Sequence, residues 1–492
     1  MKDEIKRLIK LGQLNPAWKM LQQYIANNRQ DPEGIILVSV IQEKAGMIDK
    51  AIATLQHART TEVQLKAFTG DLAAQLIRLF AKLQDKERVE KHCENLTTPT
   101  LPASFNAIGL ALASVGLYQQ SKNYFLQGLE TFPNDVALLE GLANIHMFLG
   151  EFEAAEQALT KAILLAPDNG KLVWMLADLA RQFAPEKVER LLEEQLTQAK
   201  RNAKLDDSAF WHYGIGHMAT RVEQYERAGQ HYIRGAALKK KEFLDYKVDD
   251  EINWLKSVNK AQVNLPTLTL NEASDEEAMP IFVIGMPRSG TTLISTKLAS
   301  HSDIKDLGEL PYIPMLADAQ VQGKISIKEL RQGYFKRINA DISGFSYFID
   351  QLPTNFIHVN LIRAAFPEAT IIEVERDLND VLVSNFCFLF GPQNMPFSYD
   401  LDDLTQFLGF YRSLKLTPDI SVSYEQFVSK PNDTLAGIFK SLRLEMTQTS
   451  SNVSAVATGS LVQVRQKVYT SSVNKWQKFT TVFEPHLPIK LP

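Results

Sequence analysis

A spacing of 34 residues runs through the first half of the chain and constrains its fold more than any other feature. Gly12 and Gly46 stand 34 residues apart, as do Gly116 and Gly150, and Phe132-Pro133-Asn134-Asp135 recurs at the same offset as Ala166-Pro167-Asp168-Asn169. Within one interval Leu138, Leu142, Ile145 and Leu149 share a helical stripe, and Ala155, Leu159 and Ile163 form a second stripe after Gly150. Each interval therefore reads as a helix hairpin. Gly150 can take the positive φ that ends the first helix, and the small residues Ala154, Ala155 and Ala158 let the two helices approach closely. Stacking such hairpins buries one continuous core.

About six such units fit between residues 1 and 240. The register breaks in the third, where Phe80 occupies the place expected for a turn glycine and the stretch from Leu83 to Asn95 is unusually charged. This half resembles tetratricopeptide-repeat proteins, which implies a curved superhelical solenoid whose concave face holds a peptide or protein partner. The alternative is an array that shields or dimerises the rest of the chain, and oligomeric state stays open. His212 and His217 lie at i, i+5, on different helix faces, so a structural role is expected of them rather than metal binding. Lys239 to Lys241 read as a solvated helix end.

Composition narrows the classes further. With 53 Lys+Arg against 57 Asp+Glu the formal charge is -4, without the basic excess that gripping nucleic-acid phosphates requires. Nucleic acid is not expected as a partner. Two cysteines, Cys93 and Cys387, are too few for a disulfide framework or a cysteine-built zinc site and fit a reducing, cytoplasmic location. Neither an apolar leader nor a run of ~18 apolar residues that would span a bilayer is present in the sequence, so a soluble, unprocessed chain without a membrane partner is expected.

Helical patterning stops between Gln262 and Pro280, where Pro266, several threonines and Asp275-Glu276-Glu277 read as a linker. The expected organisation is thus a helical array over 1–261, a linker over 262–279 and a second domain over 280–492. That domain opens on Ile281-Phe282-Val283-Ile284, the apolar run of a buried parallel strand. Gly285-Met286-Pro287-Arg288-Ser289-Gly290-Thr291-Thr292 follows, and then a helical spacing from Leu293. Strand, glycine loop and helix together make an anion site, because the loop turns backbone N–H groups inward and the helix aims its positive end at the same point. The loop has the G-x-x-x-x-G spacing of an ATPase phosphate loop, yet Thr291 stands where that motif requires lysine. Arg288 supplies the charge instead, which suits one phosphate bearing one sulfate better than a triphosphate. A nucleoside-triphosphate kinase or ATPase is accordingly a distant reading.

Pro287-Arg288-Ser289-Gly290-Thr291-Thr292 after an apolar strand resembles the 5'-phosphosulfate loop of sulfotransferases, and the similarity runs over most of residues 280–480. It is nearest to tyrosylprotein sulfotransferases and to bacterial proteins that join tetratricopeptide repeats to such a domain. The resemblance implies a P-loop-like, three-layer α/β domain with a parallel sheet and 3'-phosphoadenosine 5'-phosphosulfate (PAPS) as donor, with 3',5'-adenosine bisphosphate as product and no metal. A second strand ends in Arg376-Asp377 before a helix carrying Ser384, and Arg376 and Ser384 match the family's 3'-phosphate pair. Tyr424, in a Tyr-Glu pair at the end of a third strand, resembles a nucleotide contact and is equally compatible with core packing.

The same resemblance assigns Glu309 as the base for the acceptor hydroxyl. It assigns Ser460 as a donor to the transferring group or leaving oxygen, and Lys475 as part of a segment closing over the donor, a docked structural tail being the competing view. One position departs from the family. Where the pattern Asp-Lys-x-Pro-x-Asn-Phe has its lysine, Asp350-Gln351-Leu352-Pro353-Thr354-Asn355-Phe356 has Gln351. The amide can still donate a hydrogen bond but brings no charge, and losing one such donor costs on the order of 3 kcal/mol, about 10²-fold in rate. Two readings follow: a sulfotransferase acting on an acceptor hydroxyl, such as a tyrosine of a peptide held by the repeats, or a catalytically weak domain of the same fold that binds nucleotide or protein.

Overall fold

The computed structural model describes residues 1–28, 31–61, 69–94, 96–183, 208–269, 278–391, 395–445 and 470–489. The chain divides into two compact units, Met1–Ala166 and Pro167–Pro492.

The first unit is built of antiparallel helices, each packed on its neighbour in sequence. Leu14–Asn27 returns against Lys2–Lys10, Ile48–Thr61 against Pro32–Lys44, Tyr118–Thr131 against Pro102–Ser114, and Phe152–Leu165 against Val136–Leu149. Gly12, Gly46, Gly116 and Gly150 hold φ of +72°, +77°, +81° and +79° at the turns between them, as the spacing requires. In the third hairpin the turn comes later. Phe80 is fully buried within helix Thr69–Lys82, and Gln84, at φ +54°, makes the turn into Lys86–Glu94. The core residue therefore kept its place and the turn moved past it. Leu138, Leu142, Ala155, Leu159 and Ile163 are buried, which confirms the two stripes. Phe125 shows how close the helices come: its ring fills the space where Cβ atoms at Gly109 and Gly141 would otherwise sit.

In the second unit a five-stranded sheet runs in the order β2-β3-β1-β4-β5, with β1 Met279–Gly285, β2 Ile304–Asp306, β3 Tyr347–Asp350, β4 Thr370–Glu375 and β5 Ile420–Ser423, all parallel. The pleat sorts β1 into two faces. Phe282 and Ile284 enter a core with Tyr334, Phe348, Phe366 and Ile371, while Ile281 and Val283 enter another with Ile294, Ile349, Ile372 and Phe439. Helices thus cover both faces, and the sheet is the middle of three layers.

Helices Ala209–Arg221, Tyr225–Lys240 and Val248–Gln262 pack into the first of those cores through Tyr213, Tyr232, Ile252 and Leu255. Tyr213 donates its hydroxyl to the Phe386 carbonyl at 3.1 Å. His212 and His217 are buried there, one ring against His231 and the other against the Tyr232 hydroxyl at 3.1 Å. Lys239 is not solvated as expected but 7% exposed, paired with Glu242, and Lys240 reaches Asp400 at 2.6 Å. Among the described residues no helix is long and apolar enough to cross a membrane, and no cluster of three or more His, Cys, Asp or Glu is placed to hold a metal.

Candidate functional site

β1 and β4 are neighbours, with Gly285 opposite Val374, so the turns that leave their carboxyl ends lie side by side. The turn after β1 is the glycine loop. Gly285 is obligatory at φ +154°, where a Cβ would also press on the Val374 carbonyl oxygen at 2.7 Å, and Gly290 sits at φ +111° with its missing Cβ 2.5 Å from the Tyr424 ring. Arg288 adopts φ +67° between them, an uncommon conformation for a residue with a side chain. Helix Thr291–Leu298 then begins, directing its amino end into the loop, and Ser289, Thr291 and Thr292 are buried against it.

The turn after β4 places Arg376 against this loop. Its Nη1 donates to the Arg288 carbonyl at 3.0 Å, Nη2 donates to the Ser472 carbonyl at 2.7 Å, and the guanidinium lies 4.4 Å over the Tyr424 ring. Asp377 caps the following helix, Leu378–Phe386, through the Asn379 and Asp380 amides, and Ser384 lies half-buried on that helix. Asn385 of the same helix donates to the Pro287 carbonyl at 2.8 Å, which pins the loop from below. Phe388, just beyond, lies beneath the Arg288 guanidinium at 4.5 Å.

Glu309 follows β2 and is sewn to the end of β3: Gln351 N donates to the Gly308 carbonyl at 2.9 Å, and Leu310 N to Asp350 at 3.4 Å. Asp350 is fully buried, holds the Tyr334 hydroxyl at 2.9 Å, and its carboxyl is pushed up to about 7 by that burial. Glu309 itself is exposed, on a turn with protein packed around it. That crowding pushes its carboxyl up to about 7, with Arg288 pulling down and Asp350 and Asp306 adding to the rise. Water on the open side screens part of the push. The feature the site rests on is the direction, a carboxyl titrating above the ordinary carboxylate range.

A cavity of about 490 Å³ opens where the turns meet, lined by Ser289, Arg376, Asp377, Ser423 and Glu425 among others. Two buried donors on its wall, Ser289 Oγ and Arg376 Nε, have no hydrogen-bond partner among the described residues. Unpaired buried donors are costly, and anionic groups would satisfy them. Three of the four carboxylates on the same wall are engaged: Glu373 accepts from the Tyr411 hydroxyl at 2.7 Å, Glu425 accepts from Asp377 N at 2.9 Å, and Asp377 caps its helix, while Glu375 is exposed. The donor set therefore fits an anionic nucleotide end.

The structure brings Pro287 to Thr292, Arg376 and Tyr424 together around one point, with Glu309 coupled to it through Arg288. Tyr424 is 6% exposed and packs between Gly290 and Arg376. Gln351 is 1% exposed, and its Oε1 has no partner among the described residues. Lys475 begins a short turn, Lys475–Phe479, in a tail docked on helix Leu378–Phe386, and Ser460 lies outside the described residues. Asp380 escaped the reading of the sequence, although it lies four residues after Arg376 and 4.0 Å from its Nη2, an i, i+4 spacing that could have drawn notice; Asp350 stood in the family pattern without a role being assigned to it.

Residues 280–448 match the Sulfotransferase family and residues 112–180 match the Tetratricopeptide repeat. The chain carries a sulfotransferase-family domain in its C-terminal half and tetratricopeptide repeats in its N-terminal half. An uncharacterized protein of Aquifex aeolicus (strain VF5) is 26% identical over 398 residues, which cover 73% of this chain and 51% of the relative. The chain thus spans about half the length of that relative. Similar solved structures include the sulfotransferase domain of the Synechococcus PCC 7002 olefin synthase, at 18% identity and a TM-score of 0.31 over 44% of this chain and 93% of the other. The sulfotransferase domain from the curacin biosynthetic pathway aligns at 17% identity and a TM-score of 0.31, over 44% and 95%. A tetratricopeptide repeat protein from Parabacteroides merdae ATCC 43184 aligns at 16% identity and a TM-score of 0.30, over 48% and 91%.

Proposed function

We propose that the C-terminal domain transfers a sulfuryl group from PAPS to an acceptor hydroxyl, and that the repeats take a peptide or protein partner, with a tyrosine-bearing peptide as the acceptor class. The observation that carries this reading is the seating of Arg376 against the glycine loop at the edge of one cavity, its Nη1 on the Arg288 carbonyl, with Glu309 within electrostatic reach of Arg288. The donor, when bound, supplies an activated sulfuryl group on its 5'-phosphate. Ser289, Thr291, Thr292 and the loop amides hold that 5' end, while Arg376 and Ser384 hold the 3'-phosphate. Arg288 offers its guanidinium to the charge that develops near the loop, and Glu309 accepts the acceptor's proton at its carboxylate. Ser460 and Lys475 are assigned to the leaving side and to the cover of the site. A cytoplasmic location belongs to the same proposal.

Gln351 favours a second reading, in which the domain binds nucleotide with little turnover. Its amide is buried at the end of β3, where the family pattern calls for a cation.

Calorimetric titration of the full chain tests the first reading. 3',5'-Adenosine bisphosphate should bind in the micromolar range and ATP poorly, and the reverse order would end the proposal. Labelled PAPS added to a cell lysate with the protein should then mark an acceptor, and the Glu309→Gln variant should leave it unmarked.

A further inference from the structure

The tail segment 470–489 does more than cover helix Leu378–Phe386. Asp380, 2% exposed, accepts the Asn474 amide on Oδ2 at 2.8 Å and the Trp476 amide on Oδ1 at 2.9 Å. The Ser472 carbonyl, two residues earlier, takes Arg376 Nη2. Beyond this point the tail leaves the site and enters the helical hairpin Ala209–Arg221 and Tyr225–Lys240. Phe479 lies 5.4 Å from Tyr225 and 6.5 Å from Tyr232, and Phe483 stacks on Phe479 at 5.3 Å while meeting Phe386 edge-on at 5.2 Å. Val482 occupies the space where a Cβ at Gly229 would sit, in the interior of the second helix of the hairpin. Glycine is a poor choice inside a helix. Its presence at 229 is explained by the tail it admits.

We propose that Asp380 and the tail from Ser472 to Val482 are a positioning device for Arg376, anchored on the hairpin by the fit of Val482 against Gly229, so that the last helical hairpin sets the affinity of the phosphate site. This rests on the reading of Arg376 as a holder of the 3'-phosphate. Arg376 has one Nη on the loop and one on the tail, its Nε is buried without a partner among the described residues, and its guanidinium is planar and rigid. Displacing Ser472 therefore rotates the nitrogen meant for the ligand. The coupling is carried by packed side chains and two amides, all within one compact unit.

Gly229→Ala tests it from the far end, using the full chain and two measurements. Affinity for 3',5'-adenosine bisphosphate should fall about tenfold, within the usual range of coupling between separate sites, while affinity for adenosine 5'-monophosphate stays unchanged. Hydrogen exchange at the Asn474 and Trp476 amides should quicken by about tenfold or more. Adding Val482→Ala should restore both, because the new methyl then has room. Asp380→Asn, which needs no change in the hairpin, should reproduce both defects and covers the case in which Gly229→Ala does not fold. Unchanged exchange in either variant, or no rescue in the double variant, overturns the proposal. If the unsubstituted chain binds no bisphosphate, the donor-site reading fails, and the exchange measurement still decides whether the tail is held as described.

Discussion

Replacing Arg376 by alanine separates a nucleotide site from a structural arginine. Its two Nη atoms are spent on the Arg288 and Ser472 carbonyls, which leaves Nε and the net charge for a ligand. One charge-assisted hydrogen bond in a buried setting is worth about 1.5–3 kcal/mol. At 1.4 kcal/mol per decade this weakens 3',5'-adenosine bisphosphate by about tenfold to about a hundredfold. The loss should be selective, since adenosine 5'-monophosphate lacks the group that Arg376 would hold and should bind the variant nearly as well as the unsubstituted chain. Arg376→Lys keeps the charge without the fork and should fall between the two. Asp380 loses its cationic neighbour but keeps two amide donors, so thermal melting should move by only a few degrees. Isothermal titration with both nucleotides gives the answer. An equal loss for the two, or a bisphosphate affinity within twofold of the unsubstituted chain, would falsify the assignment.

Two further outcomes are expected. As a base, Glu309 works only when ionised, and its carboxyl, raised by desolvation, is protonated as pH falls through a point above the ordinary carboxylate range, so kcat/KM should drop about tenfold per unit below that point. Arg288→Ala removes the group that pulls Glu309 down and should shift this limb to higher pH. A limb near ordinary carboxylate values in both proteins would remove Glu309 from the role. Gln351→Lys should raise transfer about 10²-fold if the neutral amide is what limits turnover. Single-turnover assays with labelled PAPS would show this, and an unchanged rate in a variant that still melts normally would end that explanation.

The parts of the fold that depend on local geometry could be read from the chain. Gly12, Gly46, Gly116 and Gly150 turn where they should because a left-handed φ has few other solutions, and the glycine loop declared itself by sitting between a strand and a helix. The third hairpin broke the register, since a buried phenylalanine holds the expected glycine position and a left-handed Gln84 makes the turn after it. Apolar stripes announce that a helix is covered but not by what. Nothing local in Tyr213 points to a carbonyl at Phe386, and Lys239 looked solvated because its shelter comes from the structure around it. The site followed the same rule. Arg288 and Arg376 were visible through strand ends and motif spacing, whereas the contacts of Asp350 and Asp380 exist only once distant segments arrive beside them.

Because β1 and β4 are joined rung by rung, with Gly285 facing Val374, the spacing of the two strands from which the turns spring is laid down by the ladder itself, at the ~4.8 Å interval between paired strands. On the proposed reading, the domain is a gauge for the gap between charges on the donor it takes. Substitutions along the walls can alter what lies between the two ends, but the gap stays fixed for as long as the central strands remain paired.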